Sequence, residues 1–235
     1  MPDFAVILPA AGKSTRYGGS RGKLQEPLAG QTVLEHSLAA FTRREDVVCI
    51  VVAGGTSLGI SASTRIVPCE GGTCRAVSVR NALLAISPEI EWVAVHDAAR
   101  PLVSQDLIDR TLAAAVRFGA AVPALAVAQT IRRAQGPLPA KSSGVVSRSE
   151  LWAMQTPQIM RRRDLLEGYK RCTVALEEIT DDVQLLELAG KEVWIVQGEE
   201  RNLKITTPID LLIARTVLSM DSAIPPAVEA KPPGR

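Results

Sequence analysis

Short apolar runs alternate with stretches of helical periodicity along almost the whole chain. Phe4–Leu8 is a compact apolar run that stops at Pro9, and a glycine-rich stretch follows as far as Gly30. "TVLEHSLAAF" then repeats apolar residues at helical spacing, so the opening reads as strand, long loop, helix. The next apolar runs, Val47–Ala53 and Trp92–Val95, are bounded by breakers and separated by a helical segment from Arg75 to Ile86. Runs of that length without polar alternation suit strands covered on both faces. The series continues with helix Ser104–Phe118, strand Ala121–Val127, helices Arg163–Leu176 and Asp181–Ala189, strand Val193–Val196 and helix Pro208–Met220. It predicts an α/β fold: a three-layer α/β/α sandwich around a mostly parallel sheet, with right-handed crossovers.

Gln129–Arg148 breaks the rhythm. It is polar and carries Pro137, Pro139 and Gly144. A loop of that length in a compact domain is usually functional, and here it reads as a protruding arm that reaches a partner. The tail from Asp221, "DSAIPPAVEAKPPGR", is Pro-rich with little to bury and is expected to be flexible. The organisation predicted is one domain over residues 1–220, including the arm at 129–148, followed by a tail at 221–235.

Composition narrows the function. Of 235 residues, 46% are hydrophobic and 22% charged, which supports a packed core and excludes a disordered body. Lys plus Arg number 27 against 25 Asp plus Glu, a balance that offers no broad field for a nucleic-acid backbone, so any anion site is local. "VVCIVVA" and "AAVPALAVA" are far shorter than the roughly 20 residues a membrane span needs. "AVILPAA" has no Lys or Arg ahead of it, so it lacks the basic region of a secretory signal, and a cytoplasmic protein is expected. The four cysteines fit free thiols in a reducing compartment; Cys69 and Cys74 have neither a second cluster nor a nearby His to make a zinc site.

In an open α/β sheet, ligands bind beyond the carboxyl ends of the strands. The first such loop, "PAAGKSTRYGGSRGK", sets small Ala10, Ala11 and Gly12 beside Lys13, Arg16, Arg21 and Lys23, a combination that suits a polyphosphate. A solvated basic loop has the same composition. "GKS" lacks the first glycine of a P-loop, since Ile7 stands there, and Gly-x-Gly-x-x-Gly is absent, which counts against P-loop NTPases and dinucleotide oxidoreductases. In "CEGGTCRAVSVRNAL", Gly71 and Gly72 precede a helix carrying Arg75, Ser78 and Arg80, which can read a small polar ring or an anion, or simply make a tight turn. "VAVHDAARP" ends a strand with His96, Asp97 and Arg100. Asp97 is placed to hold a ribose or Mg²⁺, or to cap a turn with Arg100 as its partner. His96 is given no role.

Together these segments resemble the 2-C-methyl-D-erythritol 4-phosphate cytidylyltransferases of the nucleotide-diphosphosugar transferase-like superfamily. Seven ordered motifs carry the resemblance: "PAAGKSTR" with Lys23, "VLEHS", "GGTCRAVSV", "VHDAARP", "SRSELWAMQTPQ", "ITDD" and "NLKIT". The resemblance implies a Rossmann-like nucleotidyltransferase with a dimerisation arm. It places Ala10, Ala11, Gly12, Gly72 and Ser78 against CTP, and Asp97 near the ribose and a Mg²⁺ held mainly by the CTP phosphates. It gives Arg16 and Lys23 the charge at the transferring phosphoryl group. Thr130, Arg148, Thr156 and Lys204 would position the polyol phosphate, with Arg100 beside them. Thr130 and Arg148 would come from the other subunit of a homodimer. Arg148 and Lys204 thereby join Arg16 and Lys23 as the residues carrying catalysis. Thr73 stands where relatives commonly have an acidic residue, Leu24 follows Lys23 where they often have Gln, and Gln129 replaces a common Asp.

The reaction so implied is CMP transfer from CTP to 2-C-methyl-D-erythritol 4-phosphate, with release of pyrophosphate, in isoprenoid precursor biosynthesis. Neither nucleic acid nor a membrane is an expected partner. A ribitol 5-phosphate cytidylyltransferase shares the chemistry and is the nearest alternative; "HDAARP" leans toward the erythritol enzyme. A dinucleotide-binding oxidoreductase and a non-catalytic binding module are further away.

Overall fold

The computed structural model describes residues 1–12, 17 and 22–223. Phe4–Pro9 (β1) lies inside the main sheet, and its alternation shows how the layers are built. Phe4, Val6 and Leu8 enter one apolar cluster while Ala5 and Ile7 enter another, so both faces of the strand are covered. A strand buried twice has no polar face to show, which is why its sequence reads as one apolar run.

Pro27–Leu28 (β2) and Gln31–Thr32 (β3) form a small hairpin that leads into Val33–Thr42 (α1). Thr32 closes the start of α1 with a reciprocal cap. Its Oγ1 accepts the Glu35 N–H at 3.2 Å, and Glu35 Oε2 accepts the Thr32 N–H at 2.6 Å. Val47–Ala53 (β4) follows, then Ile66–Cys69 (β5), Arg75–Leu84 (α2), Trp92–Val95 (β6), Gln105–Phe118 (α3) and Ala120–Ala126 (β7). Ile131–Ala134 (β8) pairs antiparallel with Ser142–Val146 (β9), and Trp152–Met154 (β10) and Gln158–Arg161 (β11) return to the main sheet. Arg162–Arg171 (α4), Val183–Leu188 (α5), Trp194–Gln197 (β12) and Pro208–Ala223 (α6) complete the chain.

Strands β5, β4, β1 and β6 are mutually parallel, β11 runs antiparallel between β6 and β7, and β12 pairs parallel with β7. The sheet is therefore mostly parallel, as predicted. The inversion of β11 brings its start to the end of β6: Gln158 stands opposite Val95. Leu107, Ile108 and Leu112 of α3 pack with Phe41 of α1 and Leu211 of α6 on one face, and Leu83 of α2, Leu165 of α4 and Leu186 of α5 on the other. Truncating any of these fully buried leucines to Ala leaves a cavity that costs about 2–5 kcal/mol.

Several short strands lie outside the predicted series. The β5 strand is four residues with Pro68 inside it, tolerated because β5 is the last strand of the sheet and leaves one side unpaired. Strands β10 and β11 are interrupted by Gln155–Pro157, whose polar side chains serve local partners instead of a strand pattern. The Gln129–Arg148 excursion holds a two-stranded ribbon, β8 and β9, whose residues are almost all exposed. The helix predicted over Arg163–Leu176 ends at Arg171, with a separate helical turn at Leu176–Glu178.

Candidate active site

The loops after β1, β4 and β5 meet at the carboxyl ends of their strands. Ala10 N–H donates to the Ala53 carbonyl at 2.8 Å and Gly54 N–H to the Cys69 carbonyl at 2.8 Å, so the three strand ends are tied together. Ala11 lies flat against this junction. A Cβ on Gly71 would stand 2.3 Å from the Ala11 Cβ, and one on Gly54, whose φ is +91°, would stand 2.8 Å from the Ala11 backbone. Backbone approach this close requires glycine at both positions.

The junction opens into a cleft of about 680 Å³. Ala10, Ala11 and Gly12 form one wall and Gly72–Arg75 the facing one; Lys23, Asp97 and Lys204 line it as well. The turn before α2 is shaped by Ser78. Its Oγ accepts the Gly72 N–H at 2.9 Å and donates to the Cys74 carbonyl at 2.9 Å. The hydroxyl proton is thus spent inside the protein, leaving Ser78 one free lone pair toward the cleft.

Asp97 follows β6, which continues into the His96 N–H bond to the Ile7 carbonyl at 2.9 Å. Three cations surround its carboxylate. Arg75 Nε lies 3.2 Å from Oδ1, while Lys204 Nζ lies 2.9 Å and Arg100 Nε 3.5 Å from Oδ2. Burial alone would raise the Asp97 pKa; Arg75, Lys204 and Arg100 outweigh it and hold the carboxyl far below the usual carboxylate range. Lys204 is set in place by the next residue, whose N–H donates to the Ala99 carbonyl at 2.8 Å. Lys23 lies in a helical turn, Lys23–Gln25, and its charge helps to lower the pKa of Asp210, which caps α6 through the Thr206 and Thr207 N–H groups.

Among the described residues Asp97 is the one carboxylate lining the cleft, and no cluster of three or more His, Cys, Asp or Glu could hold a metal. Both Asp97 oxygens already face cations. This donor set fits a divalent ion brought in by a polyphosphate, with Asp97 as its protein ligand, and does not fit an ion held by the protein alone. All four cysteines are free.

The structure gathers Ala10, Ala11, Gly12, Lys23, Gly72, Ser78, Asp97 and Lys204 around one cleft. Arg100 and Thr156 stand behind Asp97 instead of on the cleft wall. Arg100 is buried, and its guanidinium donates to the carbonyls of Asn202 at 2.7 Å and Met154 at 3.4 Å. Thr156 is buried between Asp97 and His96. Thr130 and Arg148 lie on the exposed arm, away from the cleft of their own chain; the Arg148 guanidinium donates to the Ala128 carbonyl. Arg16, together with Lys13 and Arg21, lies outside the described residues. Arg75 and Asp182 were given no role from sequence, although "GGTCRAVSV" and "ITDD" contain them.

The matching family model, IspD: 2-C-methyl-D-erythritol 4-phosphate cytidylyltransferase, covers residues 4–220. The chain belongs to this family. It is 39% identical over 228 residues to the 2-C-methyl-D-erythritol 4-phosphate cytidylyltransferase of Cereibacter sphaeroides (strain ATCC 17023), covering 94% of this chain and 99% of that one. The enzyme of the same name from Gloeobacter violaceus is 36% identical over 224 residues, 91% of this chain and 95% of that one. Among solved structures, that of the Francisella tularensis cytidylyltransferase superposes with a TM-score of 0.80 at 31% identity, over 91% of this chain and 99% of that one. The Thermus thermophilus structure gives 0.75 at 35% identity, over 91% and 98%. Within the family fold, the cleft described above lies where a nucleotide-binding α/β sheet places its ligand.

Proposed function

We propose that this chain transfers CMP from CTP to 2-C-methyl-D-erythritol 4-phosphate, releasing pyrophosphate, as the names of its relatives describe for them. The observation that carries the reading is the cleft at the strand ends, where glycine-tight walls for a nucleotide meet Lys23 on the lining and Arg75 and Lys204 on one carboxylate.

In the reaction a phosphate oxygen of the polyol phosphate attacks the α-phosphorus of CTP in line, and the bond to the pyrophosphate oxygen breaks. No covalent enzyme intermediate is required. Two anions must approach each other, so the protein's task is positioning and charge stabilisation. Lys23 supplies positive charge at the transferring phosphoryl group, and Lys204, steadied by Asp97, meets the incoming phosphate. Arg16 is assigned to the same charge by resemblance. Ala10–Gly12 and the Gly72–Ser78 turn offer backbone groups to the nucleotide. Mg²⁺, held by the triphosphate with Asp97 as its protein ligand, would neutralise phosphate charge.

The acceptor side is completed by a second subunit. Thr130 and Arg148 lie on an exposed ribbon, and Trp152 and Met154 at its base are exposed apolar side chains. A two-fold homodimer lets each ribbon enter the partner's cleft. No helix among the described residues is long and apolar enough to cross a membrane, and the cytoplasm is the compartment we propose.

The test is pyrophosphate release with CTP and Mg²⁺ across a panel of polyol phosphates. The expected result is turnover with 2-C-methyl-D-erythritol 4-phosphate well above that with ribitol 5-phosphate. The reverse order overturns the substrate assignment, and no release with any polyol phosphate overturns the reaction.

A further inference from the structure

Arg75 is shared. From α2 its Nε reaches Asp97 Oδ1 at 3.2 Å, while its Nη2 reaches Asp182 Oδ2 at 2.7 Å. Asp182 lies just before α5, its side chain is 1% exposed, and it lines no part of the cleft. Its place is fixed by Gln158 at the start of β11. Gln158 Oε1 accepts the N–H groups of Asp182 at 2.9 Å and Val183 at 3.1 Å, and Nε2 donates to Asp181 Oδ2 at 3.1 Å. Gln158 thus fixes the backbone at Asp182, while the carboxylate itself is buried with the Arg75 guanidinium as its ion-pair partner, an arrangement that is costly unless it serves that partner.

We propose that Asp182 is a positioning residue for the transfer reaction: by holding one edge of Arg75, it leaves Asp97 Oδ2 open toward Lys204. A guanidinium prefers to grip a single carboxylate with two parallel N–H bonds. With Asp182 in place, Arg75 divides its two edges between two carboxylates and gives Asp97 a single contact through Nε. Asp97 Oδ2 then remains for Lys204 Nζ at 2.9 Å. Without the Asp182 charge, Arg75 turns both edges to Asp97, satisfies it, and releases Lys204 from the direction in which it meets the acceptor phosphate. The wall that holds the nucleotide is unaffected, because the Gly72–Cys74 turn is closed by Ser78's own hydrogen bonds.

This inference rests on the proposed reaction and assigns a residue to its acceptor half. The experiment is a double-mutant cycle of Asp182→Asn and Lys204→Met, read as separate KM values for CTP and 2-C-methyl-D-erythritol 4-phosphate together with kcat. In the wild-type background, losing one charge-assisted contact lowers kcat/KM for the polyol phosphate about tenfold, with the KM for CTP within about threefold. In the Lys204→Met background the same substitution changes kcat/KM by less than about twofold, because the group it acts through is gone. Equal effects in both backgrounds, or a loss confined to CTP, overturn the inference. If Asp182→Asn does not fold, Arg75→Lys replaces it in the cycle, since a single ammonium cannot span both carboxylates, and the same two outcomes decide. An active wild-type enzyme with an additive cycle removes this inference alone; a wild-type protein that releases no pyrophosphate removes the proposed reaction and this inference with it.

Discussion

The Thr156 hydroxyl donates a hydrogen bond to His96. His96 Nε2 donates to the Arg100 carbonyl at 3.0 Å, which can only accept, so a neutral ring accepts at Nδ1 from Thr156 Oγ1 at 3.1 Å, while that oxygen accepts the Asp97 N–H at 3.0 Å. The direction of the bonds fixes the neutral tautomer with hydrogen on Nε2. The ring closes the Asp97–Arg100 turn from behind and is packed edge-on against Phe41. His96, which sequence left without a role, is thus what holds the segment bearing the central carboxylate.

Burial pushes the His96 pKa from 6.5 down to about 4. As the pH falls below 6.5, the unfolded chain takes up a proton that the folded one refuses until about 4, so stability is full above that window and is lost through it. The loss attributable to this ring between pH 8 and 5 is about 2 kcal/mol. Denaturation midpoints at the two pH values, compared with those of His96→Gln, check it, and the wild-type ring resonance should not titrate above pH 5. An equal pH dependence in the variant counts against the assignment.

Lys23→Ala is expected to lower kcat about a hundredfold, on the order of 3 kcal/mol, with a much smaller change in either KM, because the proposed reaction aims its charge at the transferring phosphoryl group. Steady-state kinetics on the folded variant measure this, and a wild-type kcat removes Lys23 from the mechanism.

Gly71→Ala adds a methyl group where 2.3 Å separates it from the Ala11 Cβ. Either the loop after β1 or the turn before α2 must move, at a cost of about 1–3 kcal/mol, and the nucleotide wall moves with it. The expected outcome is a rise in the KM for CTP of about tenfold or more, with the KM for the polyol phosphate changed little. Titration with CTP by calorimetry reads the same effect without turnover. Unchanged CTP affinity would show that the ligand does not use this wall.

Lys23→Ala and Arg148→Ala homodimers should each be nearly inactive. If Arg148 serves the partner's cleft, mixing equal amounts under subunit exchange yields heterodimers with one intact site and restores about a quarter of all sites. If it serves its own chain, every site keeps a lesion and no activity returns. Pyrophosphate release after exchange, confirmed by native mass spectrometry, separates the two outcomes.

Strands β1, β4 and β6 and helices α1, α2, α3 and α6 are legible in the sequence because each presents one uninterrupted period to a single environment. Strands β10 and β11 are not, since Gln155 and Thr156 between them point at Glu199 and His96, and these bonds erase the apolar pattern. The same holds at the site. The glycines and Lys204 stand in recognisable motifs. The Arg75–Asp182 pair joins residues far apart in sequence, and only the fold, with α4 packed against both α2 and α5, brings them together. Arg100 has the residue type of a substrate contact but faces inward, toward backbone carbonyls that sequence cannot place.

The ribbon leaves and rejoins the sheet at one point. Ala126 of β7 stands opposite Trp152 of β10, and the next residue, Val127, donates its N–H to the Leu151 carbonyl at 3.1 Å, closing the neck. Because the neck is sealed by the sheet's own ladder, the length and composition of the ribbon can change without shifting any strand that carries the cleft. In the proposed dimer, a ribbon exchanged between relatives would therefore carry its pairing surface, with Thr130 and Arg148, into the new host while leaving the host's nucleotide wall intact.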